Sequence, residues 1–180
     1  QIIYGVIQDI VRTHVDVTLP YLSPAKGARD RTACVVIAGD RGLAGGYNSN
    51  ILKACFQEMQ GHDCEAVPIG RKAVEFFHAH GVPILTGEYA TAEDMTVSDC
   101  FSLAKMLCKA FQNGEFTKVS IAYTNFVSVL SQKPQTLQLL PLQPEKGEAR
   151  EEREIVYEPG GVEVFTAITP EYIGGVIYGA

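Results

Sequence analysis

The sequence predicts an α/β fold built on a mostly parallel, doubly wound sheet. Short apolar runs alternate with segments of helical apolar spacing, and glycine-rich turns join them. The first run, Thr32 to Ala38, is β-branched and apolar with no polar alternation, the pattern of a strand buried on both faces. The 180 residues allow one domain with a substantial core. With 46% apolar and 20% charged residues, disorder, collagen and coiled-coil arrays are excluded as descriptions of the whole.

Each element follows from local pattern. Ile3, Ile7 and Ile10, flanked by Val6 and Val11, recur at helical spacing, and this first helix has to end before Pro20. Tyr21 to Arg31, with Pro24 and Gly27 among mixed charges, reads as a loop. The strand Thr32 to Ala38 then enters the turn GDRGLAGG, Gly39 to Gly46. A helix follows, with Asn48 or Ser49 as candidate cap, Ile51, Leu52, Cys55, Phe56 and Met59 on one side, and Gly61 at its close. The order repeats: a strand over Glu65 to Ile69, a turn at Gly70, and a helix over Lys72 to His80 with Val74, Phe76 and Phe77 inward. Gly81 ends that helix, and Val82 to Leu85 makes a third strand. Thr96 to Phe111 sets Val97, Phe101, Leu103, Ala104, Leu107, Cys108 and Phe111 on one helical face, stopped by Asn113-Gly114. Lys118 to Tyr123 is a fourth strand.

Past Asn125 the rhythm changes. Phe126 to Leu142 reads as extended chain broken at Pro134, and Pro144 to Glu154 as a charged surface loop. Ile155 to Tyr157 and Val162 to Phe165 read as short strands. Thr169-Pro170-Glu171 places a cap before a proline, a helix start, and Tyr172, Ile173, Val176 and Ile177 continue it. Both end patterns read as parts of longer helices, so the chain is expected to be the middle of a larger polypeptide.

Function classes narrow in the same way. A net charge of −6 leaves no cationic footprint for general nucleic-acid binding. No apolar run approaches the roughly 20 residues that span a bilayer, and the opening QIIYGVIQDI has no secretory leader pattern. The five cysteines form no C-x-x-C pair, and Cys34, Cys55 and Cys108 sit in apolar stretches, as buried reduced thiols do. The glycine turn stands where a dinucleotide-binding fold puts its phosphate loop, but its spacing is not G-x-G-x-x-G and it lacks the Lys-Ser/Thr pair of a P-loop. Asp40 would add a carboxylate beside any phosphate. These glycines suit a tight turn and close helix–strand packing. A small α/β nucleotide-binding domain using the Gly39–Gly46 turn is the alternative function. His78 and His80 point to different sides of a helix with no third ligand, and His62-Asp63 beside Cys64 has no assignable oxyanion donor. No catalytic residue, metal ligand or cofactor is expected.

The segment VVIAGDRGLAGGYNSNILK (Val35 to Lys53) resembles the signature of the gamma subunit of the rotary proton-translocating ATP synthase. There a strand leads into D-R-G-L, a small residue, G-G, an aromatic or leucine, and N-x-N. IGRKAVEFFHAHG (Ile69 to Gly81) is similar to that family's G-R-K-x-x-x-F-F-x-x-x-G helix, and ITPEYIGGVIYGA (Ile168 to Ala180) to the start of its C-terminal helix. The resemblance implies a Rossmann-like domain that binds no nucleotide, set between the helices of an antiparallel coiled coil that is the rotor shaft. It divides the chain into 1–20, the end of the first shaft helix; 21–167, the globular domain; and 168–180, the start of the second. The family's terminal R-I-x-S and S-E-x-x-x-R-M segments are absent, so both shaft helices are expected to be truncated.

The implied function is a non-catalytic central-stalk subunit, which couples ion flow through the membrane ring to ATP synthesis or hydrolysis by rotation. The implied partners are the epsilon subunit and c-ring at the foot and the alpha and beta subunits of the catalytic hexamer. No nucleic acid is implied, and the membrane is met only through the ring. In the family the glycine-rich loop faces the beta subunits, which makes Arg41, Gly42, Leu43, Ala44, Gly45 and Asn48 the contact candidates. Leu137 to Tyr157 holds no cysteine, so thiol control of the plant type is not expected. A bacterial or mitochondrial type remains, with the cytoplasmic face of the bacterial inner membrane preferred to the matrix side.

Overall fold

The computed structural model of the chain describes residues 2–13, 19–39, 47–128, 131–143 and 160–180. Among these residues four strands, β1 (Thr32–Ile37), β2 (Cys64–Ile69), β3 (Lys118–Ser128) and β4 (Ser131–Leu140), form one sheet in the order β2-β1-β3-β4. β1 runs parallel to both neighbours, with Val35 opposite Val67 on one side and Ile121 on the other. β4 returns antiparallel along β3. The helices α1 (Ile2–Thr13), α2 (Tyr47–Met59), α3 (Arg71–Ala79), α4 (Val97–Gln112) and α5 (Gly161–Gly179) cover both faces. The expected α/β sheet, mostly parallel, is what forms.

Strand alternation sorts the core into two layers. Ala33 and Val35 point to one side, into a core shared with Ile7, Leu103, Leu107, Phe165 and Ile173 from α1, α4 and α5. Val36 and Ala38 point to the other, where Ile51, Leu52 and Phe77 of α2 and α3 meet the small residues Ala66 and Ala122. Adjacent Val35 and Val36 are both 0% exposed, as a strand covered on both faces requires. α4 opens with a capping box: the Asp99 N–H donates to Thr96 Oγ1 at 3.1 Å and the Thr96 N–H to Asp99 Oδ2 at 2.9 Å.

Several elements differ from the sequence expectation. Val82 to Leu85 contributes a single parallel bridge, Ala66 to Ile84, rather than a strand. Pro83 has no N–H for a ladder, so only its carbonyl accepts, from Ala66, before Leu85 donates to the Ala66 carbonyl. Pro134 does not break the extended chain: β4 runs through it, opposite Thr124. Among the described residues β4 is the sheet's outer strand, the position where a sheet tolerates proline because half of the strand's N–H groups face away from its one neighbour. Val97 is 42% exposed instead of inward, at the solvent end of α4.

The largest difference lies in α5. Val162 to Phe165, expected as a strand, are its first turns, and Pro170 sits inside it rather than at its start. The buried residues Gly161, Phe165, Thr169, Ile173 and Ile177 recur at every fourth position, a stripe packed chiefly on α4. Burying a side chain such as Phe165 or Ile173 contributes about 1.5–3 kcal/mol, and several together outweigh the roughly 3 kcal/mol lost at an interior proline. The expected strand Ile155 to Tyr157 and the charged loop from Pro144 lie outside the described residues.

Candidate functional site

The chain leaves β1, crosses through α2 to β2 on one side, and later reaches β3 on the other. The carboxyl ends of β1 and β3 therefore bracket the switch point, where open α/β sheets place ligands and contacts. The crossover that starts there carries Arg41, Gly42, Leu43, Ala44 and Gly45, which lie outside the described residues. Its two flanks, Gly39 and Asn48, are described.

Asn48 is not the helix cap. α2 begins at Tyr47, which places Asn48 and Ser49 inside the first turn. Asn48 is 7% exposed, and its Oδ1 accepts the Gly39 N–H at 2.8 Å. The end of β1 is thereby tied to the start of α2 across the crossover. Burial of this polar side chain is sustained by the bond, because a buried amide left unpaired costs about 1–3 kcal/mol.

The second glycine motif closes on the same peptide. Gly70 follows β2 with φ 100° and ψ 147°, a conformation reserved for glycine. A Cβ there would stand 1.7 Å from the Ala38 carbonyl oxygen. The Ala38 N–H donates to the Ile69 carbonyl at 2.9 Å, and the Lys72 N–H reaches the Gly39 carbonyl at 3.4 Å. The two motifs, distant in sequence, are thus one packed unit in which the first turns of α2 and α3 grip the Ala38–Gly39 segment. Both glycines follow apolar strands at matching ends of parallel neighbours, the signal in the sequence that they meet.

The chemistry available here is packing and hydrogen bonding. The thiols beneath α2 are held neutral: burial pushes Cys55 up to about 12 and raises Cys34 as well, although Cys34 shares a contact of 2.9 Å with Ser120 Oγ. All five cysteines are free; Cys55, Cys100 and Cys108 are buried, while Cys34 and Cys64 are half-buried. His80 lies exposed, stacked on Phe76 with ring centroids 3.9 Å apart. Among the described residues no group of His, Cys, Asp or Glu could hold a metal ion, and no helix is long and apolar enough to cross a membrane. A phosphate loop presents free backbone donors at this point. Here the N–H of Gly39 is already taken by Asn48, which counts against the nucleotide reading.

Known proteins align with this chain along its length. The ATP synthase family model matches residues 1–180. An ATP synthase gamma chain of Ruminococcus albus is 34% identical over 99% of this chain and 63% of its own length. Another, from Pelotomaculum thermopropionicum, is 36% identical over 82% of this chain and 53% of its own. The chain thus spans less than two thirds of these curated relatives. Among solved structures, the fold is similar to one in the central stalk and c-ring of the Tetrahymena thermophila mitochondrial ATP synthase, with a TM-score of 0.66 at 15% identity over 97% of this chain and 77% of that one. A chain in the rotor of the Euglena gracilis mitochondrial ATP synthase gives 0.52 at 19% identity over 98% and 73%. Matched from end to end by the family model and aligned with gamma chains over most of its residues, the chain belongs to the ATP synthase family as a relative of its gamma chains.

Proposed function

We propose that the chain is the globular part of a central-stalk rotor subunit that performs no chemistry itself and couples ion flow through a membrane ring to ATP synthesis or hydrolysis. The observation that carries this reading is the family match over residues 1–180, supported by a fold similar to a central-stalk chain at a TM-score of 0.66. In this reading 1–20 and 168–180 belong to the two shaft helices and 21–167 to the domain proper, except that α5, one helix over Gly161–Gly179, extends the second shaft helix back to Gly161. The epsilon subunit and c-ring bind at the foot, and the alpha and beta subunits surround the shaft. Arg41, Gly42, Leu43, Ala44 and Gly45 meet the catalytic subunits, with Asn48 at the root of that crossover. The subunit sits peripherally on the cytoplasmic face of a bacterial inner membrane and reaches the lipid only through the ring.

Coupling of this kind needs contacts that differ between rotary states, not an active site. The test is reconstitution of the full-length subunit with alpha, beta and epsilon subunits and the membrane sector in vesicles. ATP-driven proton uptake is expected. Hydrolysis that never acidifies the vesicles, with the complex fully assembled, refutes the reading. Titration with ATP and NAD at millimolar concentration is expected to give no heat, and saturable binding lost on Gly42→Val would restore the nucleotide alternative.

A further inference from the structure

α5 and α4 approach one another through a notch at Gly174. A Cβ at that position would lie 2.5 Å from Phe101 Cδ1, 3.0 Å from its Cε1 and 3.2 Å from its Cα. Two of these atoms are the edge of a ring and the third is backbone, so no rotamer change alone would clear the space. The Phe101 ring is seated against α5 where the side chain is missing, and Gly174 is itself buried. On either side of the notch, Thr169, Ile173 and Ile177 are 0–2% exposed, continuing the seam along α5. A second grip comes from α1, whose Tyr4 stacks on Tyr172 with centroids 5.5 Å apart.

A ring locked in a notch resists both rotation of α5 about its axis and sliding along α4, because packed interiors have discrete arrangements and low compressibility. α4 is in turn fixed to the sheet by Leu103, Leu107 and Phe111, all 0–1% exposed. We infer that the Phe101–Gly174 contact is the interlocking point of the α4–α5 seam and carries part of the torsional load between α5 and the globular domain, beside the buried stripe of Phe165, Ile173 and Ile177 and the Tyr4–Tyr172 stack. This deepens the rotor reading above and rests on it, since only a rotor subunit carries torque along α5. Phe101 and Gly174 act here as positioning residues. They hold the shaft at a fixed angle to the sheet and touch no reacting group.

The test uses the assembled complex with its full-length subunit, the hexamer fixed to a surface and stalled, and a probe on the exposed face of α3. The angular variance of the probe reports torsional compliance. Phe101→Ala removes the interlocking side chain from a seam that also holds Phe165, Ile173 and Ile177, and is expected to raise that variance by up to about twofold. Gly174→Ala in the same background refills part of the vacated space and is expected to bring the variance back toward the wild-type value, whereas Gly174→Ala alone, facing an intact ring, perturbs the seam. Phe77→Leu, which loosens the opposite core layer under α3, lowers the melting temperature yet is expected to leave the variance unchanged. Should Phe101→Ala fail to assemble, Phe101→Leu gives the same comparison with a smaller void. Wild-type variance in the Phe101 variants, no recovery in the double variant, or equal softening by Phe77→Leu each overturns the inference. A wild-type complex that assembles but does not couple would instead overturn the rotor reading itself.

Discussion

Replacing Gly70 by alanine attacks the point where the two glycine motifs meet. The backbone there has φ 100° and ψ 147°, and holding an alanine in that region costs about 1–3 kcal/mol. The added methyl would also stand 1.7 Å from the Ala38 carbonyl oxygen. Relief requires shifting β1 against β2, because the neighbouring Ala38 N–H is bonded to Ile69 at 2.9 Å, and such overpacking adds about 1–3 kcal/mol. The expected loss is therefore about 2–6 kcal/mol, a large part of a typical total of about 5–15 kcal/mol. With a urea dependence of about 2 kcal/mol per molar, the midpoint falls by about 1–3 M. The chain has no tryptophan, so far-UV circular dichroism is the suitable probe. Gly61→Ala is the internal control. Gly61 has φ 77° but nothing within 4 Å of its would-be Cβ, so only the left-handed conformation is penalised, by about 1–2 kcal/mol. If Gly70→Ala costs no more than Gly61→Ala, the close approach of Gly70 to Ala38 is wrong, and with it the joining of the two motifs.

Other perturbations follow from the same geometry. Asn48→Leu leaves the Gly39 N–H without its 2.8 Å acceptor, and is expected to cost about 1–3 kcal/mol in urea denaturation and to speed amide exchange at Gly39; unchanged exchange there would refute the bond. Arg31 pairs with Glu65 and, at 3.2 Å, with Asp63; the Arg31 and Glu65 side chains are 18% exposed and Asp63 is 50% exposed. Arg31→Ala is expected to lower stability by about 1 kcal/mol, with Asp63→Ala closer to neutral. Burial pushes Cys55, Cys108 and Tyr21 up to about 12 from ordinary values of 9.0 and 10.0. A raised acid binds more protons folded than unfolded, so the stability these groups support is complete below about pH 9 and is lost as pH rises toward 12. Denaturation midpoints that stay flat from pH 8.5 to about 10.5, or alkylation of Cys55 in the folded chain as fast as in urea, would contradict that placement.

Fold class, the elements β1, α2, β2, α3, α4 and β3, and the buried faces of α2 and, apart from Val97, of α4 were legible because they rest on short-range periodicity. Ile51, Leu52, Cys55 and Met59 repeat at helical spacing and are all buried on α2. The failures lie where a local signal met a longer-range one. Pro134 and Pro170 are breakers by local rules, yet one sits on the strand that is outermost among the described residues and the other in a helix held by a stripe of buried contacts to α4. Val162 to Phe165 is too short a run to show whether its period is 2 or 3.6. Val82 to Leu85 looked like a strand until Pro83 met a neighbour that offers only one residue of ladder.

The site shows the same division. The two glycine motifs stand out in the sequence because a glycine after an apolar strand marks a place where a Cβ is excluded. Which atom does the excluding is a property of the folded chain: β1 and β2 must lie side by side, in the observed register, before Gly70 can meet Ala38 and Lys72 can reach Gly39. The same holds for Asn48, a plausible cap by position, whose partner was decided by the approach of β1 to α2, and for Gly174, whose need for hydrogen alone arises from Phe101 on another helix. Periodicity, composition and capping act over a few residues, so the sequence alone determined the elements with a long, clear period, such as β1, α2, α4 and β3, but not the short run Val162 to Phe165 or the start of α5. Contacts between segments depend on how their faces dock, and only the tertiary structure decided them.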